Sequence, residues 1–426
     1  MVDLNDPGRD LTRFLLPAAG RLVETGEPQE PYRLLDAAGL PVVPVTAFFA
    51  ELQAASRPET TIRSYGMDLL RWFRFLWAVD IAWDRASRSE ARDFARWLQL
   101  ADKPVRVHWR YQRQGVTVPA PRPTGAKRAE PGMPNPVTGK PTPGRKYAPS
   151  TRVHSETVLR SFYDFHLDEG TGPIINPFPL DRFRRGRANA HHNPMEPFRH
   201  ERQGRYRPQV PKKLPRRIPD EMFNALFAAL KFNRDRALLA AWVSTGARAD
   251  EMLASRQTDA DPGQQLVTVI RKGTRESQPL PASPDAFVWL RLYQEEAWRQ
   301  GVPRGRRLPL WWTLRRPWRP LNYHAARAMF DRANDLLGSN WTLHDLRHTA
   351  AYRMARDPQM PLTDVQWVLG HAHLSTTEIY LAASREEVIE SVLAHHARRA
   401  QQQVVPPAPA PGYDPVSLDV LFGRRP

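Results

Sequence analysis

Between Trp341 and Tyr380 the chain reads WTLHDLRHTAAYRMARDPQMPLTDVQWVLGHAHLSTTEIY, which gathers imidazoles, an arginine and a tyrosine into three short helical segments. His344 and Arg347 stand three residues apart on what reads as a helix. That spacing puts both side chains on one face, where they can reach a single ligand. The run LTDVQWVLGH is amphipathic, apolar at Val365, Val368 and Leu369, with Gly370 as its stop and His371 just beyond. Ser375 or Thr376 can cap a further helix carrying Tyr380. A guanidinium, two imidazoles and a phenol around one point suit a phosphodiester: the cation binds nonbridging oxygens, the imidazoles donate hydrogen bonds, and the phenolate attacks phosphorus. The competing use of these histidines is a metal cluster, since His344 and His348 are four residues apart. A metal site would want a Glu beside the first histidine and a carboxylate ligand near His371 and His373, and neither pattern is present. No metal or other cofactor is therefore expected, and His348 and His373 read as structural.

This stretch resembles the C-terminal signature of the tyrosine recombinases, the phage-integrase family, in which H-x-x-R precedes L-G-H and a tyrosine follows about nine residues later. Here those read HDLR, LGH and TTEIY. The resemblance implies two elements upstream. An arginine in a T-G-x-R-x-x-E context is found in TGARADE, giving Arg248 and Glu251, and a lysine in a turn between strands is found in VIRKGTRESQPLP, giving Lys272. Each fragment alone is weak; their order and spacing carry the resemblance, which extends over about residues 43–400.

The resemblance implies that Tyr380 attacks and forms a 3′-phosphotyrosine, that Arg248 and Arg347 clamp the phosphate, that His344 and His371 hydrogen-bond to it, and that Lys272 protonates the departing 5′-oxygen. Glu251 reads as support for Arg248 or the fold. Arg271 and Arg275 lie close to Lys272, and strand register decides which of them points inward. The implied activity is site-specific DNA recombination, independent of metal and ATP, that integrates or excises a mobile element. The implied partners are double-stranded DNA, a homo-tetramer in the synaptic complex, and accessory DNA-bending or directionality proteins. A type IB topoisomerase-like reaction and a catalytically inactive DNA-binding regulator of the same fold are the alternatives.

The elements that must position these residues follow from the rest of the chain. Its 426 residues, 41% hydrophobic and 25% charged, suffice for two or three domains with proper cores. Without cysteine there is neither a disulfide framework nor a thiolate metal site. The N-terminus lacks a signal-peptide layout, and no apolar run approaches the roughly 18 residues of a membrane span. A cytoplasmic, nucleoid-associated protein without membrane contact is expected.

The net charge is +17, and nearly all of it sits in two blocks. Residues 101–150 carry ten basic against two acidic side chains, and residues 181–217 carry twelve against three. Concentration of this kind between balanced segments points to a polyanion. The expected phosphate contacts are Arg106, Arg110, Arg113, Lys127 and Arg128 in the first block and Arg182, Arg184, Arg185, Lys212 and Lys213 in the second. Arg63 and Arg71, on an amphipathic helical stretch, join them.

The expected fold is mainly α: a helical N-terminal DNA-clamping domain followed by a mixed α/β catalytic domain, mostly helical with a small β-sheet. Residues 1–42 form an N-terminal extension with a short helix in LTRFLLPAAGRLVE, and residues 43–178 form the helical domain. A basic, proline-rich insertion at about 103–149 interrupts that domain; with ten prolines it reads as extended or disordered. Residues 179–217 read as a basic linker and 218–400 as the catalytic domain, with a β-pair around Lys272. Residues 401–426 read as a disordered tail in which VSLDVLFG is a small docking element.

Overall fold

The computed structural model describes residues 9–104, 130–181, 204–210, 216–381, 385–401, 412 and 414–423. Two compact units result: residues 1–213 with Gly338–Asn340, and residues 214–337 with 341–426.

The first unit opens differently from the sequence expectation. LTRFLLPAAG is irregular, and RLVE belongs to strand β1 (Arg21–Glu27), which pairs antiparallel with β2 (Glu30–Leu35). Pro17 supplies no backbone donor, and Gly20, at φ +67°, turns the chain where a Cβ would meet the Leu35 carbonyl and the Trp77 ring at 2.7 Å. A helix cannot run through that turn. Helices α1 (Val43–Ala54), α2 (Glu59–Ala78), α3 (Arg88–Leu100) and α4 (Pro149–Asp168) build the core on the hairpin. The apolar stripe of α2 is buried at Leu69, Trp72, Phe73 and Leu76. Its Trp72 indole donates to the Tyr163 hydroxyl at 2.9 Å, which in turn donates to the Trp83 carbonyl at 2.9 Å, so both of these buried polar tips are satisfied.

Toward its C-terminal end the proline-rich insertion is folded. Residues 130–147 turn back through bridges Pro134 to Pro141 and Asp102 to Lys146, with the Lys103 N–H on the Arg145 carbonyl at 2.9 Å. Asn135 accepts from the Val137 and Thr138 amides at 2.9 Å each, an Asx-type turn that replaces the expected extended strand here.

The second unit holds α5 (Asp220–Ala229), α6 (Asn233–Thr245), α7 (Ala249–Leu253), α8 (Pro284–Arg299), α9 (Tyr323–Leu337), α10 (Leu343–Ala355), α11 (Leu362–Leu369) and α12 (Ser375–Glu378). Helices α13 (Arg385–Gln401) and α14 (Pro415–Leu421) follow. A three-stranded antiparallel sheet in the order β3 (Ala260–Asp261), β4 (Leu266–Ile270), β5 (Ser277–Pro281) lies between α7 and α8 in sequence. Helix α6 is apolar on most sides and packs against α8 and α10 at the centre of the core. Trp311 and Trp312 are buried in the same core. The tail expected to be disordered contains α14, whose first turn is capped by Asp414 accepting from the Ser417 amide at 3.2 Å.

Candidate active site

Helix α10 begins as its sequence requires: Asp345 accepts from the Thr342 amide at 2.7 Å and the Thr342 hydroxyl at 2.9 Å, a capping box that fixes the first turn. That turn carries His344, exposed, and Arg347, 3% exposed. Arg347 donates from Nη1 to the Gly246 carbonyl at 2.7 Å and from Nη2 to the Leu369 carbonyl at 2.6 Å. Both acceptors sit at helix C-termini, because α6 ends at Gly246 (φ +63°) and α11 at Gly370 (φ +60°). A buried guanidinium thus meets two negative dipole ends whose carbonyls would otherwise lack partners. Burial first, then repulsion from Arg248, pushes its pKa down to about 10, with Glu251 and Tyr380 pulling the other way, so it stays charged at neutral pH.

The end of α11 is held by three side chains. Arg347 takes the Leu369 carbonyl, Arg271 takes that of Val368, and Gln278 takes that of Trp367 at 2.8 Å. Arg271 and Gln278 come from either side of the β4–β5 turn and bond to each other. The hairpin therefore fixes the turn that presents His371, whose Nδ1 lies 2.9 Å from the Thr377 hydroxyl. Burial, and then the charges of Arg347, Arg248 and Arg271, push the His371 pKa down to about 4, so its ring is neutral at physiological pH. Where Thr377 donates to Nδ1, the proton of the neutral ring resides on Nε2; in the other tautomer Nδ1–H donates to the Thr377 hydroxyl.

Strand register assigns the three cations of the turn. Val269 pairs with Gln278 and Ile270 with Ser277, which turns Arg271 inward, 4% exposed, and leaves Lys272 and Arg275 exposed. Glu251, 3% exposed, is the hub. Its carboxylate accepts from the Arg248 side chain at 2.7 Å, the Arg248 amide at 3.1 Å, Arg271 Nη1 at 3.0 Å and the Lys272 amide at 3.1 Å. Burial alone would raise its pKa, but the donors from Lys272 and Arg248 outweigh that and hold it below the ordinary value. One carboxylate therefore positions Arg248 and the start of the turn carrying Lys272.

Tyr380 is 4% exposed, its ring packed with Ala351, Val365 and Leu369. Burial raises the phenol's pKa and the Arg347 charge draws it back. Its ring stacks on His371 at 6.4 Å, and its hydroxyl lies 2.8 Å from Nδ1 of His348, whose ring in turn meets His344 edge-on at 4.4 Å. His348, read from sequence as structural, thus touches the phenol oxygen. Its place four residues after His344, on the same helix face, was the available signal. Among the described residues no group of carboxylates and histidines could hold a metal ion. Beside the cluster an open cleft is lined by Arg248, Arg271, Trp367, Gly370, His371 and Thr376.

Of the expected phosphate contacts on the first unit, Arg63 is exposed, whereas Arg71 is bonded to Asp68 and lies 4.9 Å over the Tyr147 ring. Arg106, Arg110, Arg113, Lys127, Arg128, Arg182, Arg184, Arg185, Lys212 and Lys213 lie outside the described residues.

The phage integrase family model matches residues 216–387, and the phage integrase N-terminal SAM-like domain model matches residues 45–106, together more than half of the chain. The chain belongs to the phage integrase family. Among integrase-family relatives, tyrosine recombinase XerD of Yersinia pestis is 28% identical over 204 residues, 45% of this chain and 65% of that protein. Tyrosine recombinase XerC of Chlamydia caviae is 32% identical over 185 residues, 42% of this chain and 57% of that one. The matched part thus spans about three-fifths of these relatives. In fold, the chain is similar to XerH site-specific recombinase bound to palindromic difH substrate, with a TM-score of 0.51 and 14% identity over 83% of this chain and 85% of that one. The Tn1549 transposon integrase in complex with circular intermediate DNA gives a TM-score of 0.50 at 13% identity over 82% and 98%. No described helix is long and apolar enough to cross a membrane.

Proposed function

We propose that this chain is a site-specific DNA recombinase that cuts and rejoins strands through a 3′-phosphotyrosine, with Tyr380 as nucleophile. The observation that carries the reading is the convergence of a buried, fixed Arg347, a tethered Arg248, a neutral His371 and the Tyr380 phenol in one cluster. Arg347 spends two of its five N–H donors on helix-end carbonyls, which orients the others for nonbridging phosphate oxygens without reorganisation when DNA arrives. His371 donates from Nε2, His344 donates from the exposed rim, and Lys272 delivers a proton to the 5′-oxygen.

In strand cleavage the Tyr380 oxygen bonds to phosphorus, the P–O5′ bond breaks, and the 5′-oxygen takes the acid's proton. Rejoining runs the same steps backward, and the bond energy kept in the phosphotyrosine makes ATP unnecessary. Double-stranded DNA is the substrate, and the basic blocks at 101–150 and 181–217 add phosphate contacts. Exchange between two duplexes takes place in a homo-tetramer, in the service of a mobile element.

A covalent-capture experiment tests this even where the target sequence has not been identified. The full chain is incubated in EDTA with fragmented genomic DNA of its host, denatured, and the protein-linked fragments are recovered and sequenced. Wild type yields adducts clustered at a common sequence, whereas Tyr380→Phe retains binding and yields none. Adducts formed by Tyr380→Phe would remove the nucleophile assignment, and absence of any wild-type adduct would remove the activity.

A further inference from the structure

We infer that His348 is a catalytic residue of this site, the base that takes the Tyr380 proton as the phenol attacks and returns it when the strand is rejoined. The inference deepens the phosphotyrosine reading and rests on it.

Four observations lead there. The phenol oxygen lies 2.8 Å from Nδ1 of His348, within the range needed for proton transfer. The two rings are tilted 48° with centroids 5.7 Å apart, so they do not stack as a packing pair, and the phenol oxygen and Nδ1 are within hydrogen-bond distance. Exposure rises along the series: Tyr380 is buried, His348 half-buried and His344 exposed, with the His344 and His348 rings edge-on at 4.4 Å. A proton leaving the phenol therefore has an imidazole at each step outward. Helix α10 also binds His348 rigidly to Arg347, its sequence neighbour, whose guanidinium is locked between two carbonyls. The base and the phosphate clamp are placed by the same helix turn.

The charge around the pair suits the assignment. The groups facing it are His344 on the same helix, Arg347 beside the phenol, and His371 stacked on the phenol ring. Arg347 favours phenolate over phenol, but burial opposes ionisation, so the phenol needs an acceptor rather than solvent to lose its proton near neutral pH. His371 is poorly placed for that task, because its Nδ1 is engaged by Thr377.

In the forward step the Tyr380 oxygen–phosphorus bond forms, the phenol proton moves to His348 Nδ1, and the P–O5′ bond breaks with its electron pair on O5′, which takes a proton from the acid. In rejoining, the 5′-hydroxyl attacks phosphorus, gives its proton back to that acid, and the departing Tyr380 oxygen recovers the proton from His348. Protons and charge balance in both directions.

The experiment compares His348→Asn with His348→Ala and wild type in single-turnover cleavage on a nicked duplex carrying the recovered target sequence. Asn places a polar atom where Nδ1 stands and can hold the phenol, yet cannot take its proton. A base of this kind contributes about 100-fold to 10,000-fold. Both variants should lose that much at pH 7, and the deficit should shrink about tenfold per pH unit toward pH 9, as the phenol ionises unaided. Imidazole in the buffer should restore part of the His348→Ala rate. Thermal unfolding and DNA affinity, measured alongside, separate chemistry from folding. Near wild-type cleavage by His348→Asn, or a deficit in both variants that neither pH nor imidazole relieves, would make His348 a packing or positioning residue and overturn the inference. Failure of wild type itself to form an adduct would instead overturn the reading beneath it.

Discussion

Glu251→Gln is the perturbation for which the structure gives the sharpest expectation. The Glu251 carboxylate accepts four hydrogen bonds, two at each oxygen, and its side chain is 2% exposed, like the 5% exposed Arg271 it pairs with. Glutamine replaces one oxygen with an amide that faces donors and leaves the Arg271 guanidinium charged and buried without a counter-ion. Removing one partner of a buried pair costs roughly 3–5 kcal/mol. In a unit of this size that lowers its thermal midpoint by roughly 6–20 °C. Differential scanning calorimetry on the full chain measures the shift in the transition of the second unit. Glu251→Gln/Arg271→Met should recover much of the loss, since the stranded charge goes with it. Acid adds a signature. Because the folded pKa of Glu251 is depressed, its stabilisation is present above the ordinary carboxylate value of 4.5 and is lost as pH falls below it. The gap between wild type and Glu251→Gln should therefore narrow below that pH. A single variant within about 1 kcal/mol of wild type, or a double variant no better than the single, would refute the claim that charge compensation holds this turn.

Two further outcomes follow from the site. Histidine NMR on the DNA-free chain should show the His371 ring titrating at about 4, displaced by burial and the surrounding arginines; a midpoint near 6.5 would mean that the ring sits outside their field. Lys272→Ala should cleave an ordinary duplex poorly but recover on one with sulfur at the bridging 5′ position, whose leaving group needs no acid. A defect that sulfur leaves in place would pass the acid role to another group, with exposed Arg275 the neighbour to examine.

The site was legible where chemistry and local geometry coincide. Gly370 punctuates its helix in sequence and adopts a left-handed conformation in the fold, so the LGH segment could be placed from residue types, whereas TGARADE was found through the family resemblance and the helix stop at Gly246 emerged only in the fold. The i, i+3 relation of His344 and Arg347 fixed their common face for the same reason. What escaped was set by contacts distant in sequence. LTRFLLPAAGRLVE has helical apolar spacing, but Pro17, the turn at Gly20 and pairing with residues 30–35 make its second half a strand. His348 has the composition of a packing residue, and only the return of the chain to Tyr380, 32 residues later, gives it a partner with chemistry. Arg271 and Lys272 were indistinguishable until the β4–β5 register turned one inward.

That register also explains why a third arginine, Arg271, is buried beside Arg248 and Arg347. The Val368 and Leu369 carbonyls at the end of α11 are taken by Arg271 and Arg347, and the Trp367 carbonyl, which accepts the Gly370 amide at 2.9 Å, also accepts from Gln278. Two of those side chains come from the hairpin that carries Lys272, and the third is Arg347, the residue proposed to clamp the phosphate. Gly370 closes the arrangement, since a Cβ there would stand 3.1 Å from the Arg271 guanidinium as well as in a strained left-handed backbone. The end of one short helix therefore ties His371, Arg347 and the Lys272 turn together, while Glu251 ties that same turn to Arg248. Under the proposed reading, groups that meet a phosphate together are held by bonds within the protein, so their interaction can strengthen at the transition state without being assembled there.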